Sequence, residues 1–180
     1  MAIKELLVEK GIVTPDEIRG AIEARDSITP ATGARIVARA WTDPAYKKRL
    51  LENGSEAIKE FGLDMGATEL AVVENTPKVH NMIVCTLCSC YPRAVLGLPP
   101  SWYKSREYRA RTVREPRAVL AEFGTHIADS VEVRVHDSTA DLRYLVLPMR
   151  PAGTETMNAE QLASLISRDC MIGVAVPLAR

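Results

Sequence analysis

Three of the four cysteines fall at Cys85, Cys88 and Cys90, inside the segment Val84-Cys85-Thr86-Leu87-Cys88-Ser89-Cys90-Tyr91-Pro92. A Cys-x-x-Cys pair sets two thiolates at a separation that suits one metal ion. Cys90, two residues past Cys88, adds a third sulfur around the same centre. The stretch Cys88-Ser89-Cys90 is then a tight chelate, whose backbone nitrogens at Ser89 and Cys90 lie beside the metal and can ligate if deprotonated. Amide deprotonation demands a strongly Lewis-acidic ion, such as a trivalent one. The product is a claw of two nitrogens and three sulfurs with a sixth position open. The spacing also leaves zinc open, although a structural zinc site wants a fourth Cys or His. His80 is the nearest candidate, five residues before Cys85 in an expected strand. A redox disulfide between Cys85 and Cys88 would call for a thioredoxin-like βαβ context, and that pattern is absent. Cys170 stands alone and reads as a core residue.

The elements that must carry this segment can be traced from periodicity and punctuation. Thr14-Pro15-Asp16-Glu17 is an N-cap, a first-turn proline and an acidic turn. Ile18, Ala21 and Ile22 follow at helical spacing. A second helix is expected over residues 31–40. A third starts at Asp43-Pro44, is interrupted at Gly54 and ends at Gly62. After Gly66 the character changes. Residues 70–73 and 80–84 read as strands, the second running into the cysteines. Leu98-Pro99-Pro100-Ser101 is a loop before a helix from Trp102, and Pro116 opens a helix through Phe123. Val131 to Val135 alternates as a half-exposed strand should, residues 144–147 form another apolar strand, and residues 158–169 have helical spacing. The organisation is α+β: a helical N-terminal arm over residues 1–63, then an α+β metal-binding catalytic domain over residues 64–180.

The bulk numbers narrow the classes. A chain of 180 residues can bury one real core. Lys+Arg and Asp+Glu both number 23, and a neutral chain lacks the positive field that nucleic-acid and membrane-surface binders need. The basic run from Lys104 to Arg117 reads as a solvated face or a subunit interface. Met1 to Lys10 shows no secretory pattern and no stretch is apolar enough to span a bilayer, so the expected compartment is the cytoplasm. A reducing cytosol disfavours disulfides, which again points the cysteine cluster toward metal.

The cluster segment resembles the metal-binding motif of nitrile hydratase α subunits. Glu74-Asn75-Thr76-Pro77, His80-Asn81, Leu96-Gly97-Leu98-Pro99-Pro100, Trp102-Tyr103-Lys104, Tyr108-Arg109-Ala110-Arg111, Asp137-Ser138-Thr139-Ala140, Arg150 to Glu155 and Arg168-Asp169 are similar to that family in the same order. The resemblance implies a layered α-β-β-α catalytic domain. It implies Cys85 as axial thiolate, Cys88 oxidised to a sulfinic acid, and Cys90 oxidised to a sulfenic acid, with Ser89 and Cys90 giving amide nitrogens. Thr86 and Tyr91 are similar to the cobalt version of the motif, where the iron version typically has Ser and Thr. One low-spin cobalt(III) per chain is therefore expected ahead of iron(III). The implied reaction is a hydro-lyase's hydration of a nitrile to its amide, in a hetero-oligomer with a β-type subunit. A trivalent ion polarises the nitrile carbon and activates water. The Cys90 sulfenate oxygen and that water are both candidate nucleophiles, and Cys90 is the expected catalytic residue.

The same resemblance marks departures. Asp141 and Arg143 match a Glu-x-Arg pair that supports the claw in cobalt enzymes, with Asp shortening the reach; a plain surface ion pair is the alternative. Arg93 stands where many relatives have Trp, and His136 where relatives tend to have Trp. With Tyr91, Arg93 is expected to line a more polar substrate pocket. That would suit a larger nitrile, such as the nucleoside nitrile of toyocamycin-type hydratases, unless Arg93 serves only a subunit salt bridge. Two rivals to the nitrile reading are a thiocyanate hydrolase catalytic subunit and a structural zinc-binding accessory protein.

Overall fold

A computed structural model describes residues 3–178. Residues 1–2 of the expected arm and 179–180 of the expected domain lie outside it. The first part is helical: α1 (Ile3–Glu9), α2 (Pro15–Asp26), α3 (Pro30–Thr42), α4 (Pro44–Glu52) and α5 (Gly54–Ala57), followed by a 3-10 turn over Ile58–Phe61. The caps are those the sequence announces. Thr14 and Glu17 form a reciprocal pair, with the Glu17 amide donating to Thr14 Oγ1 at 3.1 Å and the Thr14 amide donating to Glu17 Oε2 at 2.7 Å. Asp43 accepts from the Tyr46 amide at 2.9 Å and starts α4. Asn53 accepts from the Glu56 amide and restarts the helix, so the expected interruption falls there. Gly54 must be glycine for a packing reason: a Cβ would stand 2.5 Å from the Leu70 carbonyl oxygen. Gly62 closes the segment with φ 70°, the left-handed ending that glycine adopts without cost.

Beyond Gly66 come β1 (Glu69–Glu74), β2 (Val79–Val84), α6 (Arg93–Leu96), a 3-10 turn (Trp102–Lys104), α7 (Arg106–Arg114), α8 (Pro116–Glu122), β3 (Glu132–Asp137), β4 (Leu142–Leu147), α9 (Ala159–Ser164) and α10 (Arg168–Ile172). Two expectations are refined. The helix expected from Trp102 is a single turn, because Ser105 leaves the helical region and caps α7 by accepting from the Tyr108 amide. The single helix expected over 158–169 is two, because Ser167 takes an extended conformation and caps α10. Among the described residues no helix is long and apolar enough to cross a membrane.

The strands form two parallel pairs. β1 lies beside β4, with Leu70 opposite Arg143 and Glu74 opposite Leu147. β2 lies beside β3, with Val79 opposite Glu132 and Val84 opposite Asp137. The pairs face each other through β2, which packs on β1 and β4. On one outer side α4, α5 and α10 cover β1 and β4, with α3 packed against α4, α9 and α10. On the other side α7 lies on β2 and α8 on β3. The order of layers is α-β-β-α, as expected. β2 is buried along almost its whole length, with His80 and Asn81 buried beside Met82, Ile83 and Val84, whereas β3 alternates between half-buried and exposed positions, as an outer strand does. Ile36, Val37, Ala38, Tyr46 and Leu50 from α3 and α4 are fully buried with Met82, Ile83, Val84 and Leu145. In contrast, no described side chain of α1 or α2 is buried, and Ile3, Ile12 and Ile22 are exposed.

This topology decides where the cysteines go. Parallel pairing puts the C-terminal ends of β2 and β3 side by side, Val84 against Asp137, and the Ser138 amide extends the ladder by donating to the Val84 carbonyl at 2.8 Å. The cysteine segment leaves the sheet at that edge.

Candidate metal centre

Cys85 follows directly on β2 and is fully buried, Cys88 is exposed and Cys90 is half-buried. Their sulfurs all lie within 4.8 Å of one another, with Cys85 Sγ to Cys88 Sγ at 3.3 Å and Cys88 Sγ to Cys90 Sγ at 3.0 Å. The chain turns back on itself to do this: the Cys88 amide donates to Cys85 Sγ at 3.2 Å. The amides of Ser89 and Cys90 face the Cys88 sulfur. Hydrogen bonds from the Cys90 and Cys85 thiols draw the Cys88 thiol down to about 7. Burial pushes Cys90 up to about 12, helped by its bond to Cys88 and opposed by Arg143.

The loop is held by side chains from distant segments. Asp137, at the end of β3, accepts from the Thr86 amide at 2.9 Å and from the Thr86 hydroxyl at 2.5 Å. Arg109 on α7 donates from Nη1 to the Cys88 carbonyl at 3.0 Å and more weakly to the Thr86 carbonyl at 3.5 Å. The Tyr103 hydroxyl donates to the Cys90 carbonyl at 2.9 Å, and the Tyr108 hydroxyl to the Ile83 carbonyl at 2.7 Å. Burial raises both phenols well above their ordinary value, so they stay protonated and donating. An aromatic cluster fixes their rings: Trp102 sits edge-on to Tyr108 at 4.9 Å and to Phe123 at 4.7 Å, and Tyr91 edge-on to Tyr103 at 5.1 Å.

The donor set fits a metal on three thiolates. Three sulfurs converge, two amide nitrogens turn toward them, and no further Cys, His, Asp or Glu among the described residues joins the group. A closed four-ligand zinc site therefore lacks its fourth side chain. His80, weighed as that ligand, has both ring nitrogens engaged elsewhere, with Nε2 2.8 Å from the Gly173 carbonyl and Nδ1 3.4 Å from Asn75 Nδ2.

Of the remaining sequence candidates, Arg143 on β4 donates to the Thr139 and Leu142 carbonyls, and its charge acts to lower the Cys90 thiol. Asp141 stands exposed in the turn before β4, and its carboxylate makes no hydrogen bond or ion pair among the described residues. Tyr91, Arg93 and Arg143 line one cleft of about 300 Å³ with Ile28, Met65 and Thr68. On the other side of the loop, Thr86, Arg106, Arg109 and Arg114 border a cleft of about 480 Å³. His136 is half-buried and lies 2.8 Å from Asn81 Oδ1. The residues that sequence reasoning gave no role at the cysteines are Tyr103, Tyr108, Asp137 and Arg109, the last read there only as part of a basic solvated or interface face. Each sits in a stretch already singled out by resemblance, which was the available signal; their partners lie 13 to 51 residues away and spacing cannot reveal them.

Three convergent cysteines at the edge of a layered α-β-β-α domain form a group that could hold one metal ion. The comparisons with known proteins say to which family such a chain belongs. The profile for the nitrile hydratase alpha chain matches residues 1–175, and the chain belongs to that family. It is 54% identical over 178 residues to the low-molecular-weight cobalt-containing nitrile hydratase subunit alpha of Rhodococcus rhodochrous, covering 98% of this chain and 86% of that one. Among solved structures, a recombinant thiocyanate hydrolase with partially modified cobalt centres superposes with a TM-score of 0.90 at 44% identity, covering 99% of this chain and 88% of that one. A double mutant of the Fe-type nitrile hydratase of Comamonas testosteroni Ni1 superposes with a TM-score of 0.87 at 45% identity, covering 97% and 86%. The layered fold is that of these subunits.

Proposed function

We propose that this chain is the catalytic subunit of a nitrile hydratase, holding one low-spin cobalt(III) through Cys85, Cys88 and Cys90 and the amide nitrogens of Ser89 and Cys90. The observation that carries the reading is the convergence of three sulfurs within 4.8 Å at a loop whose own amides face them. Cobalt rather than iron is supported by Thr86 and Tyr91 and by the cobalt-containing relatives. When bound, the ion supplies Lewis acidity toward the nitrile nitrogen and toward water. The net reaction adds one water across the C≡N bond, oxygen to carbon and both protons to nitrogen, which makes the enzyme a hydro-lyase.

The chain's residues prepare that chemistry in distinct ways. Cys85 is buried and stays a thiolate donor, whereas Cys88 and Cys90 are open to oxidation, which suits a sulfinic acid at Cys88 and a sulfenic acid at Cys90. The Cys90 oxygen would face substrate as nucleophile or orient the attacking water. Asp137, Arg109 and Tyr103 hold the loop so that its sulfurs converge, and Arg143 places positive charge beside Cys90. A β-type partner covers the site. Leu87, at the tip between the cysteines, is 90% exposed, and α1 and α2 offer exposed apolar residues that fit an arm laid across another chain. The expected setting is the cytoplasm, in keeping with four free cysteines.

A second reading is favoured by one observation. Arg93 and Arg143 line the same cleft beside Tyr91, and neither has an acidic partner among the described residues. Two guanidiniums without an acidic partner suit a polar or anionic substrate, either a nucleoside nitrile or thiocyanate. The deciding experiment loads the chain with cobalt together with its partner and compares a small aliphatic nitrile, a nucleoside nitrile and thiocyanate. Amide from a nitrile supports the hydratase. Carbonyl sulfide and ammonia from thiocyanate, with no amide from either nitrile, would replace it. Stoichiometric zinc on unoxidised thiols, with no turnover after cobalt loading, would leave the accessory-protein reading standing.

A further inference from the structure

The basic run from Lys104 to Arg117 does not form one patch. Arg111 is neutralised within the chain, its Nε 2.6 Å from Glu115 Oε1 and its Nη2 2.6 Å from Glu122 Oε1. Arg117 is engaged with backbone, donating from Nη1 to the Ile127 and Ala128 carbonyls at 3.0 and 3.3 Å. The rest of the charge gathers elsewhere. Arg109, Ala110, Val113 and Arg114 fall three, four, seven and eight positions after Arg106 along α7, so helical spacing stacks these five on one face. That face, with Thr86 of the cysteine loop, lines the cleft of about 480 Å³ beside the claw.

The cations of this cleft lack counter-charges. Arg106 and Arg114 are exposed, and their side chains make no hydrogen bond or ion pair among the described residues. Arg109 is half-buried and only partly engaged. Its Nη1 donates to the Cys88 carbonyl at 3.0 Å and its Nε to the Ser105 carbonyl at 3.4 Å, while Nη2 has no partner among the described residues. Three like charges around one cleft repel one another, and a negative group among them relieves that repulsion. Apolar surface lies alongside. Val113 is 53% exposed and Leu87, the residue after Thr86, 90%. A small inorganic anion would leave both wet. A protein segment covers them, and arginine is enriched where protein partners meet.

We infer that the α7 cleft docks an acidic segment of the partner chain, with Asp or Glu carboxylates on Arg106, Arg109 and Arg114 and apolar residues against Val113 and Leu87. Arg109 ties that docking to the claw. Its guanidinium is a planar fork, so a carboxylate on Nη2 fixes the direction of Nη1 and with it the bond to the Cys88 carbonyl. That carbonyl shares its rigid peptide plane with the Ser89 nitrogen, one of the proposed ligand atoms. Arg109 is thereby a positioning residue for the Ser89 nitrogen. Partner binding and metal binding are then coupled, each tightening the other.

This inference rests on the proposed metal centre and its β-type partner, and the test reads docking, metal and reaction separately. A crystal structure of the cobalt-loaded complex should show partner carboxylates within about 4 Å of Arg109 Nη2 and of Arg106 or Arg114. An open cleft, or a phosphate or sulfate ion held there instead, overturns the proposal. In solution, Arg106→Glu and Arg114→Glu should each weaken the partner's binding about tenfold at low salt, and the loss should shrink as added salt screens it. Lys48→Glu, at an exposed position of α4 on the opposite side of the sheets, should leave binding unchanged. Equal affinities in all three variants overturn the docking. Arg109→Lys keeps the charge but not the fork. It should bind the partner almost as well, yet lose cobalt to a chelator about tenfold faster, the usual scale for groups that orient metal ligands. Unchanged cobalt loss overturns the positioning role. A complex that behaves as expected in all of this but hydrates no nitrile would sink the assigned reaction and leave this inference intact.

Discussion

Removing the Asp137 carboxylate tests how the claw is held. Asp137→Ala deletes two hydrogen bonds, from the Thr86 amide at 2.9 Å and the Thr86 hydroxyl at 2.5 Å. Bonds to a charged acceptor contribute about 1.5–3 kcal/mol each when nothing replaces them. Both residues are exposed, so water takes over much of the lost bonding and the net loss falls below that range. About 1 kcal/mol per bond, or about 2 kcal/mol in all, is a reasonable net value. At 1.4 kcal/mol per decade, that opens the loop about 30-fold more often. The loop must be closed for the three sulfurs to converge, so metal affinity should fall by the same factor. The assay is competition with a chelator, following metal loss from the purified complex. Asp137→Asn should fall between, since its amide oxygen still serves the Thr86 amide. Thr86→Val isolates the hydroxyl, and adding it to Asp137→Ala should cost little more, because the partner has already gone. A loss of less than threefold in Asp137→Ala would refute the argument and mean that the thiolate bonds alone shape the loop.

Three other outcomes follow from the packing. Tyr108→Phe leaves the buried Ile83 carbonyl without the bond it receives at 2.7 Å; at about 2 kcal/mol, a chain of this size should lose about 4–8 °C in Tm, measured by calorimetry. Gly173→Ala should prevent accumulation of soluble protein, since φ is +89° and the new Cβ would stand 2.1 Å from the Asn81 carbonyl oxygen, which expression level in the soluble fraction reads directly. Burial depresses His80 below its ordinary value, outweighing the Gly173 carbonyl that raises it, and burial with Arg134 does the same to His136. Both are neutral when folded and take up a proton on unfolding, so stability should be full above about pH 6.5 and decline below it toward the depressed folded values. Urea midpoints across that window should show the slope, and it should flatten in His80→Gln; a midpoint that rises on acidification would contradict the sign.

Local features of the fold were legible because they depend on local chemistry. The caps at Thr14 and Asp43, the ending at Gly62 and the alternation of β3 are each set by a few neighbouring residues. The cysteine spacing belongs with them, since all three sulfurs come from one short loop. The two refined helices show the limit. Nothing in residues 158–169 forbids a continuous helix except the choice Ser167 makes between helix and cap, and tertiary packing of α10 on α3 and β4 decides it. The props of the site were out of reach for a different reason. That Asp137 would meet Thr86 follows from β2 and β3 pairing in parallel with Val84 opposite Asp137, and sequence patterning does not name a strand's partner. Asp141, two residues from Arg143 and read with it, shows the converse: β4 begins only at Leu142, so the shared face that a strand would have given the pair does not extend to Asp141.

The parallel pairing of β2 with β3 also sets an order in time. Thr86 and Asp137 are 51 positions apart, and a ribosome adds about 5–20 residues each second. For several seconds of synthesis the three cysteines are outside the tunnel while their clamp is unmade, and contacts this distant in sequence form late in folding. During that interval the cysteine segment lacks the hydrogen bonds that Asp137 gives Thr86. On the proposed metal-binding reading, the clamped form of the loop is available to an ion only once β3 has docked beside β2.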